Sequence, residues 1–280
     1  PKSSTPMTAA LTKIGYSEKS YAKIIFYSAG EWQSITELAQ KYNEKFDNLY
    51  GEYIREMKKK SQKLAHRDIT IKSKDEMRLT IERDMPSDYI ACKELIELYN
   101  NANSNDSEDL FFFLGSEKIV EINNLEFDLP NYIGAKGKYT PIVKHVELMM
   151  NIDTLKDLEI IDTPGLNDPI LSRSETTKEF LGECDVVFLG VKPYLVASVL
   201  EEIKAELEGK IVISMAAAVE IKDIESIVPS AKVVRIMPNT PVEVGAGVVG
   251  VSVGHNIEPT EVEYVLSLFS SLGLSEVIAE

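Results

Sequence analysis

The segment Cys184-Asp-Val-Val-Phe-Leu-Gly190 is the clearest indication of the fold class. It is a short apolar run between turn-forming residues. Such a run is typical of a strand that is buried on both faces of a parallel sheet. Downstream of it, helix-like and strand-like patterns alternate: Leu195–Leu207, Lys210–Ser214, Ile221–Ile227, Lys232–Ile236 and Pro259–Leu272. We therefore expect an α/β fold with a mostly parallel sheet flanked by helices.

The region before Cys184 has its own predicted elements. Ser34 and Glu37 have the spacing of a capping box, and apolar residues at helical spacing follow to about Leu64. We also expect a strand around Tyr21–Tyr27, a helix over Ser87–Tyr99, a hairpin of Val143–Met150 with Leu158–Asp162, and a core position for Phe111–Phe113.

Composition excludes several classes of function. The 280 residues are 44% apolar and 27% charged, and 45 acidic against 30 basic residues give a net charge of −15. This charge argues against a nucleic-acid surface and against a polybasic membrane anchor. Two cysteines form no disulfide framework, and no apolar run approaches the roughly 18–20 residues of a spanning helix. We expect a cytoplasmic protein.

The first chemical motif is Asp162-Thr-Pro-Gly165, at the end of an apolar strand. In the D-x-x-G arrangement the aspartate holds a Mg²⁺ water, and the glycine lets a backbone N–H approach a γ-phosphate. The same four residues also suit an ordinary turn at a strand end, since aspartate, proline and glycine all favour turns.

A longer segment carries a resemblance. Leu158-Glu-Ile-Ile-Asp-Thr-Pro-Gly-Leu-Asn-Asp-Pro169 resembles the switch II region of bacterial dynamin-like GTPases, and Thr5–Thr12 is similar to their switch I region. The resemblance covers residues 1–189 and implies GTP with Mg²⁺ as ligands. Thr8, or else Thr5, is then the threonine that binds Mg²⁺. Asp162 is the aspartate that holds a Mg²⁺ water, and Gly165 is the γ-phosphate contact. Membrane association follows only by analogy with that family.

Two motifs that GTP binding requires do not occur. No G-x-x-x-x-G-K-[ST] string is present, and Gly134-Ala-Lys-Gly-Lys-Tyr139 has the wrong spacing. That loop supplies consecutive N–H groups and a lysine to the phosphates. The guanine-reading N/T-K-x-D string is also absent after Phe188. We therefore predict no GTP binding tighter than about millimolar.

Three predicted strand ends carry a second set of residues. Gly190-Val-Lys-Pro193, Ser214-Met-Ala-Ala-Ala-Val219 and Arg235-Ile-Met-Pro-Asn-Thr-Pro241 each follow a predicted strand. Open α/β sheets bind ligands at the carboxyl ends of their strands, and small residues allow a flat ring to approach closely. Taken singly, each string also suits an ordinary loop.

Together these strings resemble pyrroline-5-carboxylate reductase, an NADPH-dependent enzyme that reduces a cyclic imine to proline. The resemblance covers residues 185–280, and it places Val191, Lys192, Pro193, Ala216, Ala217, Asn239 and Thr240 beside the nicotinamide of NADP. The family usually has glycine where this chain has Ala218. Its glycine-rich βαβ unit and its helical imine-binding domain have no counterpart in this sequence, so we predict no proline-forming turnover.

Other candidate sites are weaker. Gly245-Ala-Gly-Val-Val-Gly250 fits G-x-G-x-x-G, but alternating valines follow it, which favours a glycine-rich strand or turn over a pyrophosphate loop. The three histidines are not spaced for a metal. Cys184 fits a small core residue.

The resemblances divide the chain into a GTPase-like part, 1–189, and a reductase-like part, 190–280. The expected sheet is hybrid or incomplete at its centre, where the strands Leu158–Asp162 and Cys184–Gly190 would flank a missing strand. Another chain or an oligomer would complete such a sheet. The leading interpretation is a dynamin-like GTP-binding module without a complete site. The alternatives are a pyrroline-5-carboxylate reductase fragment and a non-catalytic fusion remnant.

Overall fold

The structure, a computed structural model, describes residues 11–63, 71–104, 109–134, 137–163 and 171–279. The chain forms two compact units, Pro1–Glu175 and Thr176–Glu280. The division at residues 189 and 190, which follows from the two resemblances, stays a prediction. The α/β class is confirmed, since helices flank a sheet in each unit.

The first unit contains one five-stranded sheet with the order β3-β2-β4-β1-β5. Its elements are β1 (Leu11–Tyr16), β2 (Tyr21–Phe26), α1 (Ala29–Lys63), α2 (Lys74–Glu82), α3 (Ser87–Ser104), β3 (Glu117–Glu121), α4 (Leu125–Asp128), α5 (Pro130–Ile133), β4 (Val143–Met150) and β5 (Ile160–Asp162). β1 is parallel to β4, whereas the other pairs are antiparallel.

The long helix α1 begins earlier than the sequence predicts. Ser28 Oγ accepts from the Glu31 N–H at 3.2 Å, and Glu31 Oε2 accepts from the Ser28 N–H at 2.8 Å. The capping box is therefore Ser28 with Glu31. Ser34 lies inside the helix, where its hydroxyl donates to the Gly30 carbonyl. The prediction of Ser34 and Glu37 as the cap is wrong because two serine-x-x-glutamate strings lie six residues apart.

The interior of the first unit combines aliphatic residues with a group of aromatic side chains. Buried residues of β2, α1, α3 and β4 form one core, and Trp32 packs against Tyr27 and Tyr99 with ring centroids 6.1 and 4.9 Å apart. Leu110 is fully buried, but Phe111 and Phe112 are 55% and 83% exposed. The predicted core position of Phe111–Phe113 is therefore wrong for these two, because a 3₁₀ turn directs Leu110 inward instead.

Two predicted strand pairings are also wrong. β4 and β5 do not form a hairpin, because β1 lies between them and pairs with both. The strands at Leu158–Asp162 and Cys184–Gly190 do not share one hybrid sheet either, since they belong to different sheets. Both errors concern pairing between distant segments, which local patterns do not specify.

The second unit contains a five-stranded sheet with the order β10-β9-β8-β7-β6. The boundary between the units falls within α6 (Leu171–Glu183). The later elements are β6 (Val186–Leu189), α7 (Val196–Ile203), β7 (Ile211–Ser214), α8 (Ile221–Ile227), β8 (Lys232–Pro238), β9 (Gly247–Val253), α9 (Pro259–Leu268) and β10 (Gly273–Val277). β6, β7 and β8 are parallel, β9 is antiparallel to β8, and β10 is parallel to β9.

The interior of the second unit is mainly aliphatic. Valines and isoleucines of β7, β8 and β9 pack against Val265 and Phe269. β6 is an edge strand, and Phe188 is 48% exposed, so the prediction of a strand buried on both faces is wrong. Cys184 precedes this strand and is half-buried rather than a core residue.

Gly209 follows the 3₁₀ turn after α7 with φ +72°, a conformation that glycine adopts readily at the end of a helical segment. No helix among the described residues is both long and apolar enough to span a bilayer. The cytoplasmic location stays a prediction.

Candidate functional site

The candidate site lies at the carboxyl ends of β6, β7 and β8. These parallel strands are in register, with Leu189 opposite Ser214 and Ser214 opposite Arg235. Loops that leave adjacent parallel strands at one end meet at one edge of a sheet. The three predicted strings therefore emerge along the same edge, although β8 continues to Pro238 before its loop begins.

The loop after β6 carries Val191, Lys192 and Pro193. Val191 is half-buried, whereas Lys192 and Pro193 are exposed. Lys192 caps a 3₁₀ turn whose first residue is Pro193, and its carbonyl accepts from the Leu195 N–H at 2.9 Å. Proline suits this position because its fixed φ matches the turn. The backbone of Lys192 is thus fixed by the turn, and its side chain is exposed.

The loop after β7 turns sharply. Ser214 is fully buried, and its Oγ accepts from the Ala216 N–H at 3.2 Å. Ala216 is 3% exposed, Ala217 is exposed, and Ala218 has φ +57°. A positive φ is costly for alanine and not for glycine. Alanine at position 218 is therefore a strained backbone position, and both Ala217 and Ala218 are exposed in this loop.

The loop after β8 begins with Asn239 and Thr240, and both are exposed. The Asn239 N–H donates to the Val248 carbonyl at 3.2 Å, and Asn239 Oδ1 accepts from the Val248 N–H at 2.9 Å. A 3₁₀ turn over Thr240–Val244 follows and ends at Gly245, whose φ is +68°. This loop is therefore held against β9 at its base.

The charges near this edge are balanced. A hydrogen bond from Lys222, its charge and that of Arg235 lower the pKa of Glu220, so this exposed carboxylate is ionised at neutral pH. Glu220 directly precedes α8, close in sequence to the alanine loop.

The residues predicted for GTP are not assembled in the described part of the chain. Asp162 ends β5 and is exposed at an edge of the first unit's sheet, with Thr12 opposite it. Thr5, Thr8 and Gly165 lie outside the described residues. Asp162 therefore has no described partner from the predicted Mg²⁺ set.

Metal-binding groups and other clefts give no second site. Among residues 11–63, 71–104, 109–134, 137–163 and 171–279, no three histidine, cysteine or carboxylate side chains cluster for a metal. His255 Nδ1 lies 2.9 Å from Glu225 Oε2 on the surface. One cleft lies beside Glu31 and Lys144, and another beside Asp185 and Lys210 at the amino ends of the strands.

Sequence reasoning missed two contributions to the loop after β8. It did not identify the bond between Asn239 and Val248, which depends on the register of β8 and β9. It also assigned no role to Gly247, where a Cβ would lie 2.7 Å from the Val242 nitrogen. The prediction that Gly245–Gly250 forms a glycine-rich turn and strand is confirmed, since β9 begins at Gly247.

Comparison with known proteins relates the second unit to oxidoreductases. The family model described as "NADP oxidoreductase coenzyme F420-dependent" matches residues 166–218. A pyrroline-5-carboxylate reductase of Methanosarcina acetivorans is 29% identical over 153 residues, which cover 54% of this chain and 50% of that protein. That of Corynebacterium melassecola is 41% identical over 103 residues, which cover 35% of this chain and 38% of that protein.

These matches overturn the leading interpretation. Residues 185–280 number 96 (280 − 185 + 1), so a match over 153 residues extends into the segment that was assigned to a GTPase. The family match also begins at Leu166, inside the predicted switch II region. The prediction of a dynamin-like GTP-binding module, with GTP and Mg²⁺ as its ligands, is therefore wrong.

A structural likeness to dynamins carries no weight against this correction. A chain of an oligomerised bacterial dynamin pair covers 100% of this chain and 29% of its own, with 17% identity and a TM-score of 0.42. A likeness at this score carries no argument about fold or function. That the sequence joins two families stays a prediction. The chain spans half or less of the length of the reductases reported above.

Proposed function

We propose that the second unit is part of an NADP-dependent oxidoreductase of the pyrroline-5-carboxylate reductase kind. It is the part whose loops contact the nicotinamide of the cofactor. The observation that carries the proposal is the common edge at which β6, β7 and β8 end, in register, with small or polar residues in every loop. The similarity of this unit to reductases supports the same proposal.

The roles of the residues follow from their places on this edge. Ala217 leaves room for a flat ring, because its exposed methyl group is the smallest side chain that still shields the backbone. Lys192 and Thr240 are exposed on the neighbouring loops and supply donors to a carboxamide or ribose. Ala216 and Ser214 are buried and shape the turn between them.

The expected ligand is NADP, and the expected affinity is weak. No glycine-rich pyrophosphate loop occurs in this sequence, and such a loop supplies much of the dinucleotide's binding energy. We expect a dissociation constant for NADP⁺ of about 1 mM, which corresponds to roughly 4 kcal/mol. The substrate proposed from the relatives' name is pyrroline-5-carboxylate.

The test is a titration of the chain with NADP⁺, followed by isothermal calorimetry or ligand-detected NMR. Ala217→Asp places a larger, charged side chain on the proposed ring surface and should weaken binding at least about tenfold. Ala205→Asp is the matched control, because Ala205 is also exposed but precedes β7 at the opposite edge of the sheet. Equal loss from both variants, or no binding by the unchanged chain, would contradict the proposal.

Turnover is measured separately, with NADPH and the imine in an absorbance assay. The prediction that this chain forms no proline is tested by the same assay. Imine-dependent oxidation of NADPH that is lost in Ala217→Asp and retained in Ala205→Asp would extend the proposal from cofactor binding to catalysis.

A further inference from the structure

Asn239 stands directly after β8, and its side-chain oxygen is already engaged. Oδ1 accepts from the Val248 N–H at 2.9 Å, while the Asn239 N–H donates to the Val248 carbonyl at 3.2 Å. Asn239 therefore satisfies both backbone groups of Val248. It continues the β8–β9 ladder one step beyond the pair formed by Pro238 and Val249.

This pairing closes the base of the loop that carries Thr240. The Val242 N–H donates to the Asn239 carbonyl, and the Ala246 N–H donates to the Pro241 carbonyl, both at 3.2 Å. On the return path, a Cβ at Gly247 would lie 2.3 Å from Val242 Cγ1, so the turn rests directly on the strand. The loop is thus held at its base by Asn239 and at its middle by Val242.

Backbone conformation does not explain asparagine at this position. Asn239 has φ −105° and ψ 167°, which are extended values open to most residues. The side chain is exposed, so burial does not select it either. The hydrogen bond from Val248 is what distinguishes asparagine from an apolar residue of the same size.

We infer that Asn239 is a positioning residue of the proposed cofactor site. Its Oδ1 fixes the base of the loop and so holds Thr240 at the carboxyl end of β8, whereas the sequence resemblance places Asn239 itself beside the nicotinamide. This inference rests on the proposed function. It assigns the effect of Asn239 on NADP binding to loop closure, which an aspartate oxygen reproduces and a leucine does not.

The test compares Asn239→Leu with Asn239→Asp in the full chain. Leucine has nearly the same shape and no acceptor, whereas aspartate keeps an acceptor oxygen and removes the amide donors. Amide hydrogen exchange at Val248, measured by NMR, reports the closure directly. NADP⁺ titrations at 0.5 M salt, which screens the added charge, report the effect on binding.

We expect exchange at Val248 to accelerate about tenfold in Asn239→Leu and to stay within about threefold of the unchanged chain in Asn239→Asp. The dissociation constant for NADP⁺ should follow the same pattern, rising about tenfold only in Asn239→Leu. Rescue of binding by aspartate is the result that supports positioning, since a direct contact through the amide donors would be lost in both variants.

Two results would overturn the inference. Loss of binding in Asn239→Asp with Val248 still protected would show that the amide itself contacts NADP. Unchanged binding in Asn239→Leu with Val248 unprotected would show that closure has no influence on the site. Failure of the proposed function looks different, because the unchanged chain would then bind no NADP⁺ in the millimolar range.

Discussion

The two units of this chain belong to the same fold class but differ in the residues that pack their cores. In the first unit, the aromatic residues Tyr27, Trp32 and Tyr132 belong to one core with residues of the sheet, α1 and α3. The sheet of the second unit packs through valines and isoleucines, and β9 and β10 approach each other through Gly247 and Gly273. The core of the first unit includes large aromatic side chains, and the β9–β10 pair of the second unit depends on two glycines at which a Cβ would not fit.

This difference predicts which substitutions reduce the stability of each unit. Large aromatic groups bury much apolar area each, so a core of this kind loses stability when a side chain is shortened. Where two backbones approach closely at glycine, there is no side chain to shorten. Such a contact is instead destabilised when a side chain is added. The candidate site lies in the unit of the second kind, where short residues also line the strand ends.

The largest expected effect is that of Gly273→Ala. A Cβ at this position would lie 2.1 Å from the Gly247 oxygen, and φ is +130°. We expect the free energy of unfolding of the second unit to fall by at least about 4 kcal/mol. Hydrogen exchange of β9 and β10 peptides is the measurement. Gly209→Ala is the control, because its φ of +72° is also positive but open space surrounds it, and it should cost about 1 kcal/mol.

In the first unit the corresponding change is a shortening, Leu110→Ala. Leu110 is fully buried, so the substitution leaves a cavity and should lower the unit's free energy of unfolding by about 3 kcal/mol. Urea unfolding followed by fluorescence of Trp32, the chain's single tryptophan, reports this unit. Leu79→Ala is the control at 83% exposure, and a similar loss from both would contradict the description of the core.

A smaller, pH-dependent effect is expected at the start of α1. Burial raises the pKa of Glu31, but hydrogen bonds from Lys144 and Ser28 outweigh it and lower the pKa overall. A carboxyl whose pKa is lower in the folded state stabilises that state above its unfolded pKa of about 4.3 and loses this as pH falls through the folded value.

Glu31→Gln should therefore lower the free energy of unfolding of the first unit by about 1 kcal/mol at pH 7 and by less below about pH 4. Trp32 fluorescence in urea at a series of pH values provides the measurement. Glu44→Gln, an exposed position on the same helix, is the control. A loss from Glu31→Gln that is constant from pH 7 to pH 3 would refute the role of the charge.

The smallest expected effect is a gain. Ala218 has φ +57°, so Ala218→Gly should raise the free energy of unfolding of the second unit by about 0.5 kcal/mol, because relief of strain exceeds the added entropy of the unfolded chain. Ala217→Gly is the matched control at an exposed neighbour with no such strain, and it should reduce stability slightly. Exchange of β7 and β8 peptides distinguishes gain from loss.

Local elements were predictable where the pattern lies within one segment. The spans of α8 and of β7 follow from short apolar runs between turn residues, and the structure has them within a residue or so. The start of α1 was not predictable from the sequence, because Ser28 and Ser34 each have a glutamate three residues later. Only the chain path before the helix distinguishes the two, and it is set by β2.

The common sheet edge was predictable from the sequence, whereas membership of a cofactor site stays a prediction. The strings after β6, β7 and β8 point to one sheet edge, since parallel strands end together. The burial of Ala216 against the exposure of Ala217, and the engagement of Asn239 by Val248, depend on strand register and turn shape. The GTPase interpretation rested on residues 5–12 and 158–169, and the oxidoreductase family match that begins at Leu166 overlaps the second of these segments.

The approach of Gly273 to Gly247 has a consequence for the evolution of this sequence. A Cβ at Gly273 would meet the backbone of Gly247, and a Cβ at Gly247 would meet the backbone nitrogen and Cα of Val242. A compensating substitution removes side-chain atoms, and these contacts are with backbone atoms. Any single step from either glycine therefore meets a selective barrier that no second substitution at its partner relieves. We expect both positions to remain glycine in descendants of this chain that retain the β9–β10 pair, even as the surrounding valines drift.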